Sequence, residues 1–329
     1  MAKDDRLRII RRIENKLRTN IICYLTSDRP GPFTTQIAED ITKVFKYHLD
    51  RLGTKRKRIH LFLYSRGGDM ITPLRLVRLI REHCDSFNVI IPFRAHSAAT
   101  LISLGADEIV MHKLGELSPV DPKTMHPFNP ANPNNPRQKM EISVEDVNSY
   151  FLLARERADV KPDQMVNIFL ELDKDLHPLS LGNIYRGYRM SRLLTEKLLK
   201  MHMKTSQKVT NIVKSLNEYL CVHNYPISRE EAKKEIGLNA IFPSKRLEED
   251  IWALFSEYER EMLLSEPFNP QTAIVNNAPT NLSYNAAFVE SKNRTDVFEF
   301  TGVITPIAGP AGQTSANVNI VNAAWKELN

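Results

Sequence analysis

Two stretches of sequence decide the fold: IHLFLYSRGGDM at residues 59–70 and FNVIIPFRAHSAATLISLGADEIVM at residues 87–111. Each opens with a largely apolar run, passes through a short turn and continues into a segment with helical periodicity. Apolar strand runs that alternate with helices are typical of a parallel sheet covered on both faces. The two stretches therefore predict an α/β core.

The same alternation extends to either side of these stretches. Residues 6–18 carry a helical apolar stripe, residues 21–26 (IICYLT) form a strand, and Thr34 or Thr35 is the predicted N-cap of a helix that ends at Leu49. Further strands are predicted at 59–64, 87–92 and 108–111, with helices at 70–84 and 98–105. We therefore expect residues 1–125 to form the core.

Beyond the core the chain changes character. The run PFNPANPNNP at residues 127–136 has four prolines and four asparagines, which predict a loop within residues 126–140. Residues 141–264 are predicted to be mainly helical. Residues 265–329 are expected to be irregular as far as residue 293 and then to form a small terminal hairpin of strands 296–304 and 318–323.

The composition excludes several classes of protein. With 42% hydrophobic and 26% charged residues, the 329-residue chain is not intrinsically disordered. It has no apolar run of membrane-spanning or signal-peptide length, so we expect a cytoplasmic protein that does not insert into membranes. Cys23, Cys84 and Cys221 lack the CxxC spacing of a disulfide framework or a zinc site.

Positive charge is concentrated near the start of the chain. Residues 1–60 contain fifteen Lys or Arg and seven Asp or Glu, a net charge of +8 against +6 for the whole chain. The clusters lie between Arg6 and Arg18 and between Lys55 and Arg58. They favour a solvated helix face and a basic loop. A nucleic-acid partner bound through these 60 residues is the less favoured alternative.

Two turns carry residues that are suited to catalysis. Gly67 and Gly68 follow one predicted strand, and amides at such a turn can hold a phosphate or an oxyanion. Ser97 follows the next strand at the head of an apolar helix. Taken alone, Ser97 is an ordinary N-cap candidate, and the alternative is a nucleophile whose oxyanion is also bound by the Ala98 amide.

Three motifs in one order, SRGGD at 65–69, AHSAATLISLGADEIVM at 95–111 and SPVDP at 118–122, resemble the Clp-fold serine proteinases of the serine dehydrogenase proteinase (SDH) type. These proteins are relatives of signal peptide peptidase A and, more distantly, of the Clp proteases. TSDRPG at 26–31, HPLSLGNIYR at 177–186, ISREEAKKEIGL at 227–238 and DVFEFTGVI at 296–304 extend the likeness over most of the chain.

The resemblance implies a Clp/crotonase-like spiral of ββα units, followed by a mainly helical C-terminal half and the small terminal β-hairpin. It further implies a serine endopeptidase-type hydrolase in which Ser97 is the nucleophile, while Gly67, Gly68 and the Ala98 amide line the oxyanion hole. Such chemistry needs no cofactor and no metal. The family also forms homo-oligomers through its later helices, and the expected substrate is a protein or a peptide.

The general base is less clearly marked, because the histidine of the Clp proteases is missing from the region of SPVDP. In signal peptide peptidases a lysine takes this role, which implies a Ser-Lys dyad. Lys139 lies 42 residues beyond Ser97 and is the first candidate, Lys123 at a separation of 26 the second.

Other side chains near the motifs are expected to support the site or to replace the first two base candidates. His112 is an alternative base, and Lys161 is the third lysine candidate for the base. His96 is expected to shape the pocket, Asp121 to orient a base or cap a loop, and Ser118 to hydrogen-bond a lysine base.

Two other functions stay open at this point. A crotonase-type enzyme would use the same glycine amides to polarise an acyl-CoA thioester, but it has no need of a serine at the helix head. A catalytically silent scaffold would keep the fold for assembly with partners, and the missing histidine favours this alternative.

Overall fold

The computed structural model describes residues 2–52, 58–220, 222–274, 278–308 and 314–328. The helices are α1 (Ala2–Leu17), α2 (Ile41–Asp50), α3 (Thr72–Arg81), α4 (Ala98–Leu104), α5 (Val144–Glu156), α6 (Met165–Asp175), α7 (Pro178–Leu199), α8 (Ser206–Lys214), α9 (Arg229–Lys234) and α10 (Lys245–Glu261). A 3₁₀ turn at Pro162–Gln164 precedes α6, and a π-helical turn at Ser215–Tyr219 follows α8.

The strands are β1 (Asn20–Thr26), β2 (Arg58–Tyr64), β3 (Ser86–Ile91), β4 (Arg94–Ala95), β5 (Glu108–Met111), β6 (Glu116–Leu117), β7 (Lys123–Thr124), β8 (Ala131–Asn132), β9 (Asn135–Lys139), β10 (Ile142–Ser143), β11 (Ile227–Ser228), β12 (Ala240–Ile241), β13 (Thr280–Ser291), β14 (Arg294–Ala308) and β15 (Thr314–Glu327). The chain divides into a first unit, residues 1–117 with 228–329, and a second unit, residues 118–227.

The first unit is built on an eight-stranded sheet in the order β12-β5-β3-β2-β1-β13-β14-β15. The five strands from β12 to β1 are parallel, and the last three are antiparallel additions. All residues of β1, and all of β2 after Arg58, are buried. The predicted α/β core is thereby confirmed, and the covering of both faces explains why its strands are largely apolar.

Helices α1 and α10 cover one face of this sheet. Ile10 and Ile13 of α1 pack with Leu254 and Tyr258 of α10 in one buried cluster. The basic residues of α1 contribute to this packing, because the buried Arg6 guanidinium donates to the carboxylate of Glu290 on β13 at 2.7 Å.

Two further cations of α1 are paired with α10. Arg12 and Lys16 bind the carboxylate of Asp250 at 3.0 and 2.6 Å. Much of the first basic cluster is therefore an internal ion-pair system and not a free cationic face. Lys55, Arg56 and Lys57 lie outside the described residues, as does Cys221.

The predicted start of the second helix is wrong. Helix α2 begins at Ile41, and residues 34–40 are not helical, because tertiary contacts use their polar groups. The Thr35 hydroxyl accepts from the Ser27 N–H at 2.9 Å and donates to the Ala286 carbonyl at 2.7 Å, while Ile37 pairs with Gly68 as a parallel β-bridge.

The prediction of an irregular segment over residues 265–293 is wrong for residues 280–291, which form β13. This strand pairs along β1 from Ile22 with Ser291 to Thr26 with Ala287. The predicted terminal strands exist but are longer, as β14 and β15, so the end of the chain is a three-stranded extension of the main sheet instead of a small separate hairpin. The Asn- and Ser-rich sequence of β13 does not indicate a strand, because the strand is stabilised by its pairing with β1 and not by local sequence preference.

The second unit contains α5–α8 and two short strand pairs. The predicted Pro/Asn loop contains a small hairpin, in which β8 pairs with β9, and β7 pairs with β10. In the parts of the chain that the structure describes, no helix is both long and apolar enough to cross a membrane.

Candidate active site

Ser97 stands at a strained turn between β4 and α4. Its backbone has φ 53° and ψ −111°, a conformation that side-chain-bearing residues rarely adopt. An N-cap serine would have an extended backbone and would accept from an early amide of the helix, and in the described chain Ser97 does neither. The turn therefore presents Ser97 as a candidate nucleophile, as strand-to-helix turns do in other serine hydrolases.

The second turn, Ser65–Gly68, follows β2 and approaches Ser97 closely. Gly67 has φ 110°, and a Cβ on it would lie 2.8 Å from the Cβ of Ser97. Gly68 has φ 145°, and a Cβ there would lie 2.2 Å from the carbonyl oxygen of Ile37. Only glycine fits either position, because any side chain would meet both a strained φ and an occupied space.

Backbone hydrogen bonds fix the two turns to each other. The Ser65 N–H donates to the Arg94 carbonyl at 3.0 Å, and the His96 N–H donates to the Ser65 carbonyl at 2.9 Å. The buried Ser65 hydroxyl also accepts from the Thr26 hydroxyl at 2.8 Å. The positions of Ser97 and the glycines are thus set by the ends of three neighbouring strands.

The three amides predicted to form an oxyanion hole are not equivalent. The Gly67 N–H donates to the Ser65 hydroxyl at 3.0 Å. Ile37 donates to the Gly67 carbonyl and accepts from the Asp69 N–H, each at 2.8 Å, so the Gly68 N–H points away from Ile37. The Ala98 amide belongs to the first turn of α4, where amides have no intrahelical acceptor. Gly68 and Ala98 therefore have the amides suited to binding an oxyanion. The Gly67 amide is already bonded to Ser65, and the absence of a side chain on Gly67 leaves space for Ser97.

A carboxylate that the sequence reasoning gave no role braces the two turns. Asp28 accepts from the Tyr64 hydroxyl at 2.7 Å, from Arg66 Nε at 2.7 Å and from Arg94 Nη1 at 3.2 Å. Arg66 lies on the Ser65–Gly68 turn, and Arg94 lies on β4, which leads into the Ser97 turn, so a single carboxylate contacts both segments. Its only sequence cue was its place in TSDRPG, a conspicuous motif without an assigned chemistry.

His96, the neighbour of the candidate nucleophile Ser97, has its imidazole ring bound to Glu116. Its Nε2 lies 3.1 Å from Glu116 Oε1, and Arg94 Nε lies 3.4 Å from the same oxygen. Burial raises the pKa of Glu116, and the nearby Arg94 charge partly opposes this. These contacts agree with a pocket-shaping role for His96.

His112, the alternative base, follows β5. Its ring stacks on Trp252 with centroids 5.1 Å apart, and its Nδ1 accepts from the Leu114 N–H at 3.2 Å. Burial lowers the pKa of His112, although a hydrogen bond to the Pro92 backbone opposes the shift. The His112 ring is thus held by the Trp252 indole and by the Leu114 backbone N–H.

The lysine candidates belong to the second unit. Lys123 lies on β7 and Lys139 at the end of β9, and both side chains are exposed. Of their neighbours in sequence, Asp121 accepts from the hydroxyl of Ser143, the N-cap of α5, at 2.8 Å, and the Ser118 hydroxyl donates to the Pro119 carbonyl at 3.0 Å. Burial raises the pKa of Asp121. Within the described residues, no three or more His, Cys, Asp or Glu gather as they would around a metal ion.

Comparisons with known proteins agree with the motifs. A family model described as ClpP-like SDH-type serine proteinase matches residues 1–178. Two uncharacterized proteins of Methanocaldococcus jannaschii are similar to the chain. One is 25% identical and covers 78% of this chain and 79% of its own length, and the other is 32% identical and covers 71% and 70%.

Two solved structures are more distantly similar. A lysine-to-alanine variant of a membrane-bound stomatin-specific protease, in complex with a substrate peptide, has a TM-score of 0.36 and 15% identity and covers 69% of this chain and 78% of its own. A serine-to-alanine variant of that protease has a TM-score of 0.38 and 14% identity, and covers 69% and 82%.

Proposed function

This chain belongs to the ClpP-like SDH-type family of serine proteinases, and we propose that it cleaves protein or peptide substrates through an acyl-enzyme at Ser97. The observation that carries the proposal is the strained turn of Ser97 opposite the glycines of SRGGD. A plain N-cap would not need this conformation, and strain of this kind persists where function requires it.

The proposed reaction has two steps. The Ser97 hydroxyl loses its proton to the base and attacks the carbonyl carbon, and the amide N–H groups of Gly68 and Ala98 stabilise the oxyanion of the tetrahedral intermediate. The carbon–nitrogen bond then breaks, the amine leaves with the proton from the base, and an ester to Ser97 is left. Water activated by the same base hydrolyses this ester and frees Ser97.

The base is proposed to be Lys139, with Lys123 and His112 as alternatives. A serine needs a positioned proton acceptor, and a lysine serves as one only when burial keeps its amine neutral. Since Lys139 is exposed in the structure of the single chain, we propose that a bound substrate or a partner chain buries it in the active state.

Covalent labelling with a fluorophosphonate probe tests this mechanism. The wild type should be labelled, and Ser97→Ala and Lys139→Ala should not be. Lys174→Ala is the matched control, because Lys174 is an exposed lysine of the second unit that pairs with Glu171. It should be labelled at the wild-type rate. If Lys123→Ala or His112→Gln abolishes labelling while Lys139→Ala does not, the base is reassigned. A folded wild type that is never labelled would contradict the proposal and favour the scaffold alternative.

We also propose that the chain forms a homo-oligomer through its second unit. Helix α6, all of which the structure describes, has no buried residue, although Val166, Phe169 and Leu170 form an apolar stripe in which each residue is 47–58% exposed. Large apolar side chains at i, i+3 and i+4 normally face a packing partner. Light scattering should give a mass above 37.8 kDa for the wild type and a smaller mass for Phe169→Glu, whereas equal masses would count against this surface.

A cytoplasmic location stays part of the proposal. It is supported by Cys23 and Cys84, which are both free thiols. Cell fractionation tests it. A nucleic-acid partner is not proposed, because Arg6, Arg12 and Lys16 already bind carboxylates of their own chain.

A further inference from the structure

An aromatic recess lies on the antiparallel extension of the main sheet in the first unit. Phe298 of β14 pairs in register with Ala287 of β13 and Trp325 of β15, so the three side chains share one face of the sheet. The Phe298 ring meets the rings of Phe300 and Trp325 edge to face, with centroids 5.5 and 5.6 Å apart. The three rings line the recess.

The second wall of the recess is the segment from Thr34 to Asp40. Asp40 accepts a hydrogen bond from the Trp325 indole N–H at 3.1 Å, which joins the two walls. The recess has a volume of about 350 Å³ and is lined by Thr34, Thr35, Gln36, Ala38, Asp40, Ala287, Phe298, Phe300 and Trp325. It is thus large enough for one long side chain.

The charges of the recess are one-sided. Among the described residues that line it, Asp40 is the one ionisable side chain, and no cation offsets it. Aromatic faces carry partial negative charge, and together with a carboxylate they attract an ammonium or guanidinium group. Although the chain has a net charge of +6, this recess is negative at the Asp40 carboxylate and at its aromatic rings. The matching occupant is a cation with an apolar stem.

We propose that this recess binds the lysine or arginine side chain of an extended peptide. A peptide fits better than a small amine because Gln36 and Ala38 line the recess from an extended segment. Ile37 between them directs its own N–H and carbonyl to the Gly68 turn, so the backbone groups of Gln36 point the other way, as they do along the free edge of a strand. An extended peptide can pair with such an edge while its cationic side chain enters the recess.

The recess is also linked to the proposed catalytic machinery. The segment that forms one wall is the segment whose Ile37 holds Gly68 in place. A bound peptide would therefore contact an element that shapes the oxyanion hole. Peptide binding in the recess does not depend on hydrolysis, but the identification of that peptide as the substrate rests on the proposed function.

Binding can be measured on the full-length Ser97→Ala protein, which should not cleave the probe. The probe is an acetylated and amidated Gly-Gly-Lys-Gly-Gly peptide, and the control peptide has norleucine in place of lysine. The chain has two tryptophans, so the fluorescence change of Trp325 is isolated by comparison with Trp325→Phe. The lysine peptide should give a saturable change, and the norleucine peptide should bind at least fivefold more weakly.

Three variants locate the site. Asp40→Asn and Phe298→Leu should each weaken binding of the lysine peptide about fivefold to tenfold, since each removes one source of attraction for the cation. Glu39→Gln is the matched control, because Glu39 is the neighbouring exposed carboxylate, pairs with Arg75 and does not line the recess. It should bind like the parent.

Equal binding of the two peptides, no binding, or unchanged affinity in Asp40→Asn would overturn the proposal. Labelling of wild-type Ser97 by the fluorophosphonate probe is measured alongside. Labelling without peptide binding removes the recess proposal alone, whereas peptide binding without labelling removes the proposed hydrolysis alone.

Discussion

The turn of the first unit that carries the proposed nucleophile Ser97 differs in its construction from the strands of the second unit that carry Lys123 and Lys139. Ser97 stands on a strained backbone that is fixed by hydrogen bonds of 2.8–3.0 Å and by glycines that no other residue can replace. Lys123 and Lys139 lie on short strands and are exposed. The groups that must be preorganised to bind an oxyanion are thus set by the backbone of a buried sheet.

The difference teaches where the activity should be sensitive to change. A donor that is fixed before the reaction loses its function with a small displacement, whereas an exposed lysine must first lose its water. Substitutions around Gly68 should therefore reduce the rate directly. Conditions that bury or expose the lysine should act through the assembly state or the bound substrate.

Gly68→Ala is the change with the largest expected effect on this comparison. The new methyl group would overlap the Ile37 carbonyl and would require φ 145° of an alanine, so the Ser65–Gly68 turn must shift. We expect a loss of about 100- to 1,000-fold in the fluorophosphonate labelling rate, the range seen when an oxyanion donor is removed. Circular dichroism checks that the variant is folded.

The matched control is Gly182→Ala in α7 of the second unit. No described atom lies within 4 Å of the position of its Cβ, and alanine is favoured over glycine inside a helix by about 1 kcal/mol. This variant should be labelled normally and be slightly more stable. Normal labelling of folded Gly68→Ala would show that Gly68 does not hold the oxyanion.

The second prediction concerns how the stability of the first unit depends on pH. Burial lowers the pKa of His60, on the strand that leads into the Gly68 turn, to about 3. In the unfolded chain His60 binds a proton near pH 6.5, whereas in the folded chain it stays neutral until the pH approaches 3. The free energy of unfolding is therefore highest above pH 6.5 and decreases as the pH falls toward 3. At pH 5 the loss should be about 2 kcal/mol.

Urea unfolding followed by tryptophan fluorescence measures this loss. Trp252 and Trp325 both belong to the first unit, so the fluorescence reports on that unit. His60→Gln should show a much smaller difference between pH 7 and pH 5, whereas replacement of the exposed His83 by glutamine should keep the wild-type difference. An unchanged difference in His60→Gln would assign the acid sensitivity to another group.

The sequence predicted the parallel core well because each strand is buried on both faces and is therefore largely apolar. It missed β13 for the opposite reason. TNLSYNAAFVES, residues 280–291, has little periodicity, and its extended form depends on pairing with β1, which lies more than 250 residues earlier. The start of α2 was misplaced because Thr35 hydrogen-bonds to Ser27 and Ala286 and does not cap a helix.

For the candidate site, local motifs pointed to the proposed nucleophile and the glycines, but not to the residues that hold them. A motif shows that Ser97 follows a strand, whereas the bonds of Asp28 to Arg66 and Arg94 exist only after three separate segments meet. The difference between the Gly67 and Gly68 amides likewise depends on Ser65 and Ile37, whose contacts a linear pattern does not contain.

Asp28→Asn is the change with the smallest expected effect. Asparagine keeps the shape of Asp28 but loses the charge that holds two guanidinium groups, so the two turns should be less firmly aligned. We expect kcat for a peptide substrate to fall about tenfold, which corresponds to about 1.4 kcal/mol, with KM nearly unchanged. Asp159→Asn, which removes an exposed carboxylate bound to Lys161 in the second unit, should leave both constants as they are. An increase in KM alone would instead make Asp28 a group that contacts the substrate, and the preorganisation of the first unit would then depend on its backbone rather than on its charges.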